Sequence, residues 1–282
     1  MCELFCLSSR HPMRTTLSLR HFAAHGAPDG RNVDGWGVVF HGGRDVRLYK
    51  EPEPAGVSPW VEFIEKYGPP TRMLISHIRR ATVGGNSHAN TQPFARELGG
   101  RMHLFAHNGG LDGIDALFDR ARHRFQPVGE TDSEKGFCLL LDRLAGLWAG
   151  PATPSLEARR DVVAAFAAEM RPLGIANFLY ADGDYVFGHG HKRTQADGHV
   201  APPGLWLRHH RHTTRAHARQ IAATAPGLAI HADTATAEGE QEMTLLASVP
   251  VMAGDWSPLA EGEVVVVAAG KPVQFGPHQP LP

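Results

Sequence analysis

The chain opens with MCELFCLS, residues 1–8, in which a cysteine is followed at once by a short, largely apolar run. Such a run over residues 3–8 is typical of a buried strand, so Cys2 is predicted to stand at the tip of a strand anchored in a core. Cys6 points to the same face of that strand about 13 Å away, which is too far for a disulfide. Cys6 and Cys138 are therefore interpreted as small core residues.

Outward from this strand, strand patterns dominate both ends of the chain and helix patterns dominate the middle. That order favours an α+β fold with stacked antiparallel sheets and helices on the outside. We find no internal repeat and no long linker, so residues 1–282 are predicted to form one domain. The predicted strands cover 35–40, 46–50, 73–78, 102–106, 177–180, 185–188, 205–207, 243–249 and 263–268, and the predicted helices 14–25, 59–67, 113–123, 133–149 and 155–170.

Composition gives no sign of a nucleic-acid or membrane partner and favours a cytoplasmic protein. Lys plus Arg number 28 and Asp plus Glu number 29, which gives a net charge of −1 and no reason to expect nucleic acid or an anionic membrane as a partner. Three cysteines suit a reducing compartment better than a disulfide framework. No stretch approaches the roughly 18 apolar residues of a membrane span, so a cytoplasmic protein is predicted.

Cys2 gains a chemical role if Met1 is removed, because the mature chain then carries a thiol and a free α-amine on one residue. The amine, with a reference pKa of about 7.7–8.0, can take the thiol proton and later deliver it to a leaving amine. A thiol needs less activation than a hydroxyl in that arrangement. Taken alone, however, Met-Cys favours an incidental cysteine.

Five further motifs change that interpretation: DGWG (34–37), HIRRAT (77–82), NTQPF (90–94), HNGG (107–110) and TDSE (131–134). In this order and together with Cys2, they resemble the class II glutamine amidotransferases, which are N-terminal-nucleophile hydrolases. The resemblance covers most of residues 2–140, where the catalytic motifs lie, and continues more loosely through 141–282, which would complete the fold. It implies a four-layer α/β/β/α sandwich of two antiparallel sheets.

The resemblance also implies roles for five residues. Cys2 is the nucleophile, and Asn108 with Gly109 forms the oxyanion hole. Arg79 binds the α-carboxylate of glutamine, for which a planar guanidinium is well suited, and Asp132 binds the α-ammonium. Plainer interpretations stay open: a surface arginine, a helix N-cap at Asp132 or Thr131, and an ordinary Asn-Gly turn.

Thr82, Trp36 and Gly37 are expected to shape the substrate pocket, although Trp36 could equally be a core aromatic. Arg80 is predicted to be a surface residue. His77 and His107 lie within motifs but are not expected to act as the base, since the amine does so. The His-rich segment 189–217 matches no known zinc spacing and is interpreted as a solvated loop rather than a metal site.

The reaction that the resemblance implies needs no metal or organic cofactor. The Cys2 thiolate attacks the amide of a small molecule, glutamine or a γ-glutamyl amide, and a glutamyl thioester forms as ammonia or an amine leaves. Water then releases glutamate, and a synthase partner could accept the ammonia. Two alternatives remain: a γ-glutamyl amidase like that of ergothioneine biosynthesis, and a catalytically silent binding or regulatory protein on the same fold.

Overall fold

The protein is described by a computed structural model that covers residues 2–17, 32–119, 121–212, 228–232 and 240–275. Two antiparallel sheets pack face to face, and helices cover their outer faces. The predicted α+β sandwich is therefore confirmed.

The first sheet has eight strands and is built around the strand that follows Cys2. Its order is β14-β11-β13-β1-β4-β2-β3, and β12 pairs with the far end of β1. The register joins Glu3 to Ile78, so the start of β1 lies beside the end of β4. The strands are β1 (Glu3–Leu17), β2 (Trp36–His41), β3 (Val46–Glu51), β4 (Thr71–Ile78), β11 (Trp206–His212), β12 (Leu228–Ala232), β13 (Gln241–Ala247) and β14 (Ser257–Pro258).

The second sheet has six strands in the order β16-β15-β8-β7-β6-β5. A separate two-stranded ribbon pairs β9 (Arg193–Thr194) with β10 (Val200–Ala201). The strands of the sheet are β5 (Phe94–Leu98), β6 (Arg101–Leu111), β7 (Gly174–Ala181), β8 (Tyr185–His189), β15 (Val264–Ala268) and β16 (Lys271–Pro272).

Three α-helices lie in the described part of the chain. Helix α1 (Pro59–Tyr67) packs on the outer face of the first sheet, whereas α2 (Asp132–Ala145) and α3 (Leu156–Met170) pack on the second. Helices α2 and α3 begin after Thr131 and Ser155, whose hydroxyls accept N–H groups of their first turns. Such caps satisfy backbone donors that a helix leaves free. No helix among these residues is long and apolar enough to cross a membrane.

Alternate residues of the strands fill the space between the sheets. Leu4 and Cys6 of β1 meet Leu104 of β6 and Leu179 of β7 there, and all four are buried. Burying one large aliphatic side chain stabilises the fold by about 1.5–3 kcal/mol relative to leaving it in water. Cys6 and Cys138 are free and buried, as predicted for core residues.

Two predicted helices are wrong for physical reasons. Residues 14–17 of the predicted helix 14–25 continue β1, because their backbone pairs with 228–231 of β12, and residues 18–25 lie outside the described part. Of the predicted helix 113–123, only a 3-10 turn at Ile114–Ala116 forms. The carboxylate of Asp142 accepts the N–H groups of Arg124 and Phe125, which holds the chain beyond this turn in an irregular path.

Candidate active site

A cavity of about 530 Å³ opens at the end of the sandwich where β1 begins, called here the Cys2 end. Antiparallel pairing explains its position: the start of β1 lies beside the end of β4, and β6 ends in the neighbouring sheet. Five of the predicted site residues line it, namely Cys2, Thr82, Asn108, Gly109 and Asp132. Residues far apart in sequence thus meet around one thiol.

Cys2 is a partly exposed residue that lines the cavity. Its thiol lies 3.3 Å from the carbonyl oxygen of Arg80, to which it donates, and 3.2 Å from the Arg80 N–H, which donates to the sulfur. Burial raises the pKa of the Cys2 thiol, and the hydrogen bond from Arg80 only partly offsets this effect. A base is therefore needed to generate the thiolate near neutral pH.

The Asn108 side chain is buried beside Cys2. Its Nδ2 donates to the carbonyl oxygen of Cys2 at 2.5 Å and to Ser248 Oγ at 3.1 Å. Its Oδ1 accepts no hydrogen bond from the described residues. An amide N–H group accordingly points at the backbone of the cysteine, next to the thiol.

Asn108 and Gly109 both lie within β6, which pairs with β7 as far as Leu111. The strand extends beyond its predicted bounds of 102–106, and the plainer interpretation of Asn108-Gly109 as an ordinary turn is excluded. Gly109 has φ +154°, and a Cβ there would lie 1.7 Å from the carbonyl oxygen of Ile175. Only glycine fits this close approach of two backbones.

Asp132 is the first residue of α2, and Thr131 rather than Asp132 is the N-cap. The Thr131 hydroxyl accepts the Glu134 N–H at 3.2 Å. One oxygen of Asp132 accepts the Leu111 N–H at 2.7 Å, which ties the start of the helix to the end of β6. Asp132 also lines the cavity.

The two arginines of the HIRRAT motif lie in different surroundings. Arg79 is buried, and its guanidinium donates to the carbonyls of Asp34, Val83 and Gly84 and to Asn86 Oδ1 at 2.9–3.2 Å. It holds the loop at 83–86 and does not line the cavity. Arg80, predicted to be a surface residue, does line it.

Trp36 and Gly37 also lie away from the cavity lining. Trp36 is fully buried in the core under α1, and its Nε1 donates to Glu51 at 3.2 Å, which agrees with a core aromatic. A Cβ on Gly37 would lie 2.2 Å from the Gln92 carbonyl oxygen, so this glycine lets the 92–93 segment pack on β2. Thr82 is the member of this group that borders the cavity.

His77 and His107 are both buried. Burial lowers the pKa of His77 to about 3, and neither ring nitrogen has a partner in the described residues. Burial also lowers the pKa of His107, although Asp132 acts against it. The His107 ring nitrogens contact Ser133 Oγ at 2.9 Å and the Ile175 carbonyl at 3.0 Å. Neither imidazole is suited to take a proton near neutral pH.

The His-rich segment is not the solvated loop that was predicted. His189 and His191 are buried, and residues 206–212 form β11; residues 213–217 lie outside the described part. Within the described ranges, no three His, Cys, Asp or Glu side chains are grouped so that they could hold a metal.

Sequence reasoning missed a buried polar cluster beside the nucleophile, formed by Glu3, Arg193 and Ser248. Arg193 contacts both other members, and Ser248 contacts Asn108. A carboxylate at the start of an apolar strand was the one available signal. Nothing local to Arg193 or Ser248 indicates that the fold brings them to Cys2.

Comparison with known proteins gives a consistent result. The family model for class II glutamine amidotransferases matches residues 1–280. "Putative glutamine amidotransferase YafJ" of Escherichia coli (strain K12) is 38% identical over 190 residues, which are 67% of this chain and 72% of that protein. A "Putative glutamine amidotransferase" of Haemophilus influenzae is 31% identical over 189 residues, which are 67% of this chain and 63% of that protein.

Solved structures agree in fold. The 2.0 Å crystal structure of a "predicted glutamine amidotransferase" from Pseudomonas aeruginosa PA01 superposes with a TM-score of 0.66 at 28% identity, covering 97% of this chain and all of that one. The glutamine phosphoribosylpyrophosphate amidotransferase of Bacillus subtilis matches with a TM-score of 0.55 at 15% identity, over 98% of this chain and 50% of that one. The second likeness concerns the fold alone.

Proposed function

Because the chain belongs to the class II glutamine amidotransferases, we propose that it hydrolyses the side-chain amide of glutamine or of a γ-glutamyl compound, with Cys2 as the nucleophile. The observation that carries the proposal is the lining of the cavity at the Cys2 end. Cys2, Asp132 and Asn108 line one space there, and they carry a thiol, a carboxylate and an amide N–H donor. These are the groups that amide hydrolysis of an α-amino acid requires.

The reaction begins with removal of Met1, which frees the α-amine of Cys2. The amine takes the thiol proton as the sulfur attacks the amide carbon of the substrate, and the carbonyl oxygen becomes an oxyanion. Asn108 Nδ2 and the Gly109 N–H donate to that oxygen. The amine then delivers the proton to the leaving nitrogen, and the C–N bond breaks to give a thioester and ammonia or an amine. Water hydrolyses the thioester to glutamate and regenerates the thiol.

Different residues bind the α-ammonium and the α-carboxylate of the substrate. Asp132 takes the α-ammonium, since its carboxylate borders the cavity. Arg79 takes the α-carboxylate only if that carboxylate replaces the acceptors at 83–86 that now hold the guanidinium. Arg80 offers a second guanidinium that already lines the cavity. Arg79→Lys and Arg80→Lys, compared for KM, distinguish the two, because a lysine cannot provide bidentate capture.

The size of the cavity favours γ-glutamyl amides as a second class of substrate. Its volume of about 530 Å³ lies within the 300–1,000 Å³ typical of sites for drug-sized ligands, whereas glutamine is considerably smaller. A leaving amine larger than ammonia would fill the remaining space. Release of p-nitroaniline from γ-glutamyl-p-nitroanilide, compared with release of ammonia from glutamine, measures this preference.

The decisive assay compares wild type, Cys2→Ala and Cys6→Ala with both substrates. Cys2→Ala is expected to lose activity by about three orders of magnitude or more, since the nucleophile acts as a unit with its base. Cys6→Ala is the matched control on the same strand, and it is expected to keep kcat and lose only stability. Equal hydrolysis by wild type and Cys2→Ala would overturn the proposal and favour a binding or regulatory protein on this fold.

A further inference from the structure

A buried ion pair lies directly beside the proposed nucleophile. Glu3 is fully buried, and its Oε1 accepts from Arg193 Nη2 at 3.1 Å; the Arg193 side chain is 11% exposed. The other carboxylate oxygen has no partner among the described residues. A buried ion pair is weak evidence for stability, because desolvation offsets the attraction between the charges. The reaction outlined above uses neither residue, so their purpose needs another explanation.

Arg193 connects this pair to Ser248. Its Nη1 donates to the Ser248 carbonyl oxygen at 2.5 Å. Ser248 Oγ in turn accepts from the Leu4 N–H at 2.9 Å and from Asn108 Nδ2 at 3.1 Å. The chain of contacts therefore runs from Glu3 through Arg193 and Ser248 to the amide that is proposed to donate to the oxyanion.

Burial raises the pKa of Glu3, and Arg193 and Ser248 both act to lower it. Ser248 Oγ accepts hydrogen bonds from both Leu4 and Asn108, so both lone pairs of this oxygen are engaged. Ser248 therefore lies between the Glu3–Arg193 pair and the amide of Asn108.

A second asparagine fixes the Arg193 segment against the strand that carries Asn108. Asn177 Nδ2 donates to the carbonyl oxygens of Asn108 and Lys192 at 3.2 and 2.6 Å, and its Oδ1 accepts the His191 N–H at 2.7 Å. The position of the Arg193 guanidinium is therefore set relative to Asn108 from both sides. Thr194, next in the chain, borders the cavity.

We infer that Arg193 is a positioning residue, which acts with Glu3 and Ser248 to orient the amide of Asn108. Ser248 accepts one proton of Nδ2 and the Cys2 carbonyl oxygen accepts the other, so the amide is held beside the thiol, where the oxyanion forms. Without Ser248, the hydrogen bond to the Cys2 carbonyl would be the one remaining contact of this amide among the described residues, because its Oδ1 has no partner there. The inference rests on the proposed function, since an oxyanion has to form beside Cys2 for the orientation to matter.

The test measures kcat and KM separately for γ-glutamyl-p-nitroanilide, per active site titrated with a diazoketone analogue of glutamine. Arg193→Met is expected to lower kcat about tenfold to a hundredfold, less than loss of the donor itself, with KM within about twofold because the amide acts on the transition state. Arg193→Lys is expected to recover part of kcat. Lys192→Met is the matched control, a neighbouring partly exposed cation paired with Glu261, and should behave as wild type.

Ser248→Ala provides a second variant in case Arg193→Met folds poorly. It keeps the Glu3–Arg193 pair and removes only the hydroxyl, and it is expected to lower kcat by about tenfold with KM unchanged. Wild-type kcat per titrated site in both Arg193→Met and Ser248→Ala, or a rise in KM alone, would overturn the inference and leave the proposed function standing. An inactive wild type would overturn both.

Discussion

At the Asp182 end of the sandwich, opposite Cys2, buried charges are fully paired. Arg159 donates to Asp182 at 2.9 Å and to Asp184 at 3.0 Å, and its guanidinium lies between the rings of Trp148 and Tyr185. Asp182 accepts two further backbone N–H groups. The imidazoles there are paired as well: both ring nitrogens of His41 and of His103 have partners.

The Cys2 end also buries polar groups but leaves several of their atoms without partners. Glu3 Oε2, Asn108 Oδ1 and both ring nitrogens of His77 make no hydrogen bond in the described part of the chain. Most buried polar groups in proteins are paired, so such exceptions call for an explanation. The Asp182 end holds one such atom, Trp148 Nε1, but its buried charged groups are paired. We therefore interpret the Asp182 end as arranged for stability and the Cys2 end as arranged for a ligand.

The largest expected effect is on the free energy of unfolding, and it concerns the Asp182 end. Arg159→Met leaves the buried carboxylate of Asp182 unpaired and is expected to lower the free energy of unfolding by about 3–5 kcal/mol. Burial already raises the pKa of Asp182, and Arg159 opposes this effect. Because the pKa in the folded variant rises further above its unfolded value, the loss should grow as the pH increases above about 4.

Urea unfolding at pH 5 and pH 8 checks this prediction, with Arg122→Met as the control. The Arg122 side chain is 84% exposed and pairs with Asp119 across one turn, so its loss should cost under about 0.5 kcal/mol. The kcat of folded Arg159→Met should equal that of wild type. A low kcat in folded Arg159→Met would contradict the interpretation that the Asp182 end contributes to stability and not to catalysis.

Asn108→Ala tests the Cys2 end, where the expected loss is in catalysis rather than in stability. It removes a proposed oxyanion donor and is expected to lower kcat about 10²- to 10³-fold, with a much smaller change in KM. Steady-state kinetics, with thermal unfolding measured alongside, separates lost catalysis from lost folding. A variant with normal kcat and reduced stability would assign Asn108 the same structural role as the residues at the Asp182 end.

The smallest expected effect is the change of wild-type kcat/KM with pH. Burial raises the pKa of the Cys2 thiol, so the neutral α-amine has to accept the thiol proton. We expect kcat/KM to fall about tenfold per pH unit below the pKa of the amine, near 7.7–8.0 in model compounds. Burial lowers the pKa of His77 to about 3 and that of His107 below its usual value. An acid limb centred clearly below pH 6.5 would instead point to one of these histidines as the base.

Local patterns predicted the sandwich because its strands and helices follow their own periodicities. Helix α1 was predicted at its observed bounds, and β2 and β3 within one residue of theirs. The failures are non-local. Residues 14–17 form a strand because they pair with 228–231, more than 200 positions away, and β6 runs to Leu111 because β7 lies beside it. No local pattern contains those partners.

The candidate site was predictable where a motif residue borders the cavity, as with Cys2, Asn108 and Asp132. It was less predictable where burial decides the role. Arg79 and Arg80 are adjacent and identical in type, and only the folded path of the loop at 83–86 distinguishes them. Arg193 approaches Cys2 through tertiary structure alone, so its position had no signal in the sequence. The catalytic roles and the cytoplasmic location remain predictions.

The most direct test of the account is a covalent label on the nucleophile. Protein purified from cells is treated with 6-diazo-5-oxo-norleucine, a reactive analogue of glutamine, and its intact mass and labelled peptide are determined, with Cys2→Ala as the control. The account predicts one adduct per chain, on Cys2, in a chain that begins at Cys2. An adduct on Cys6 or Cys138, no adduct at all, or a labelled chain that retains Met1 would contradict it.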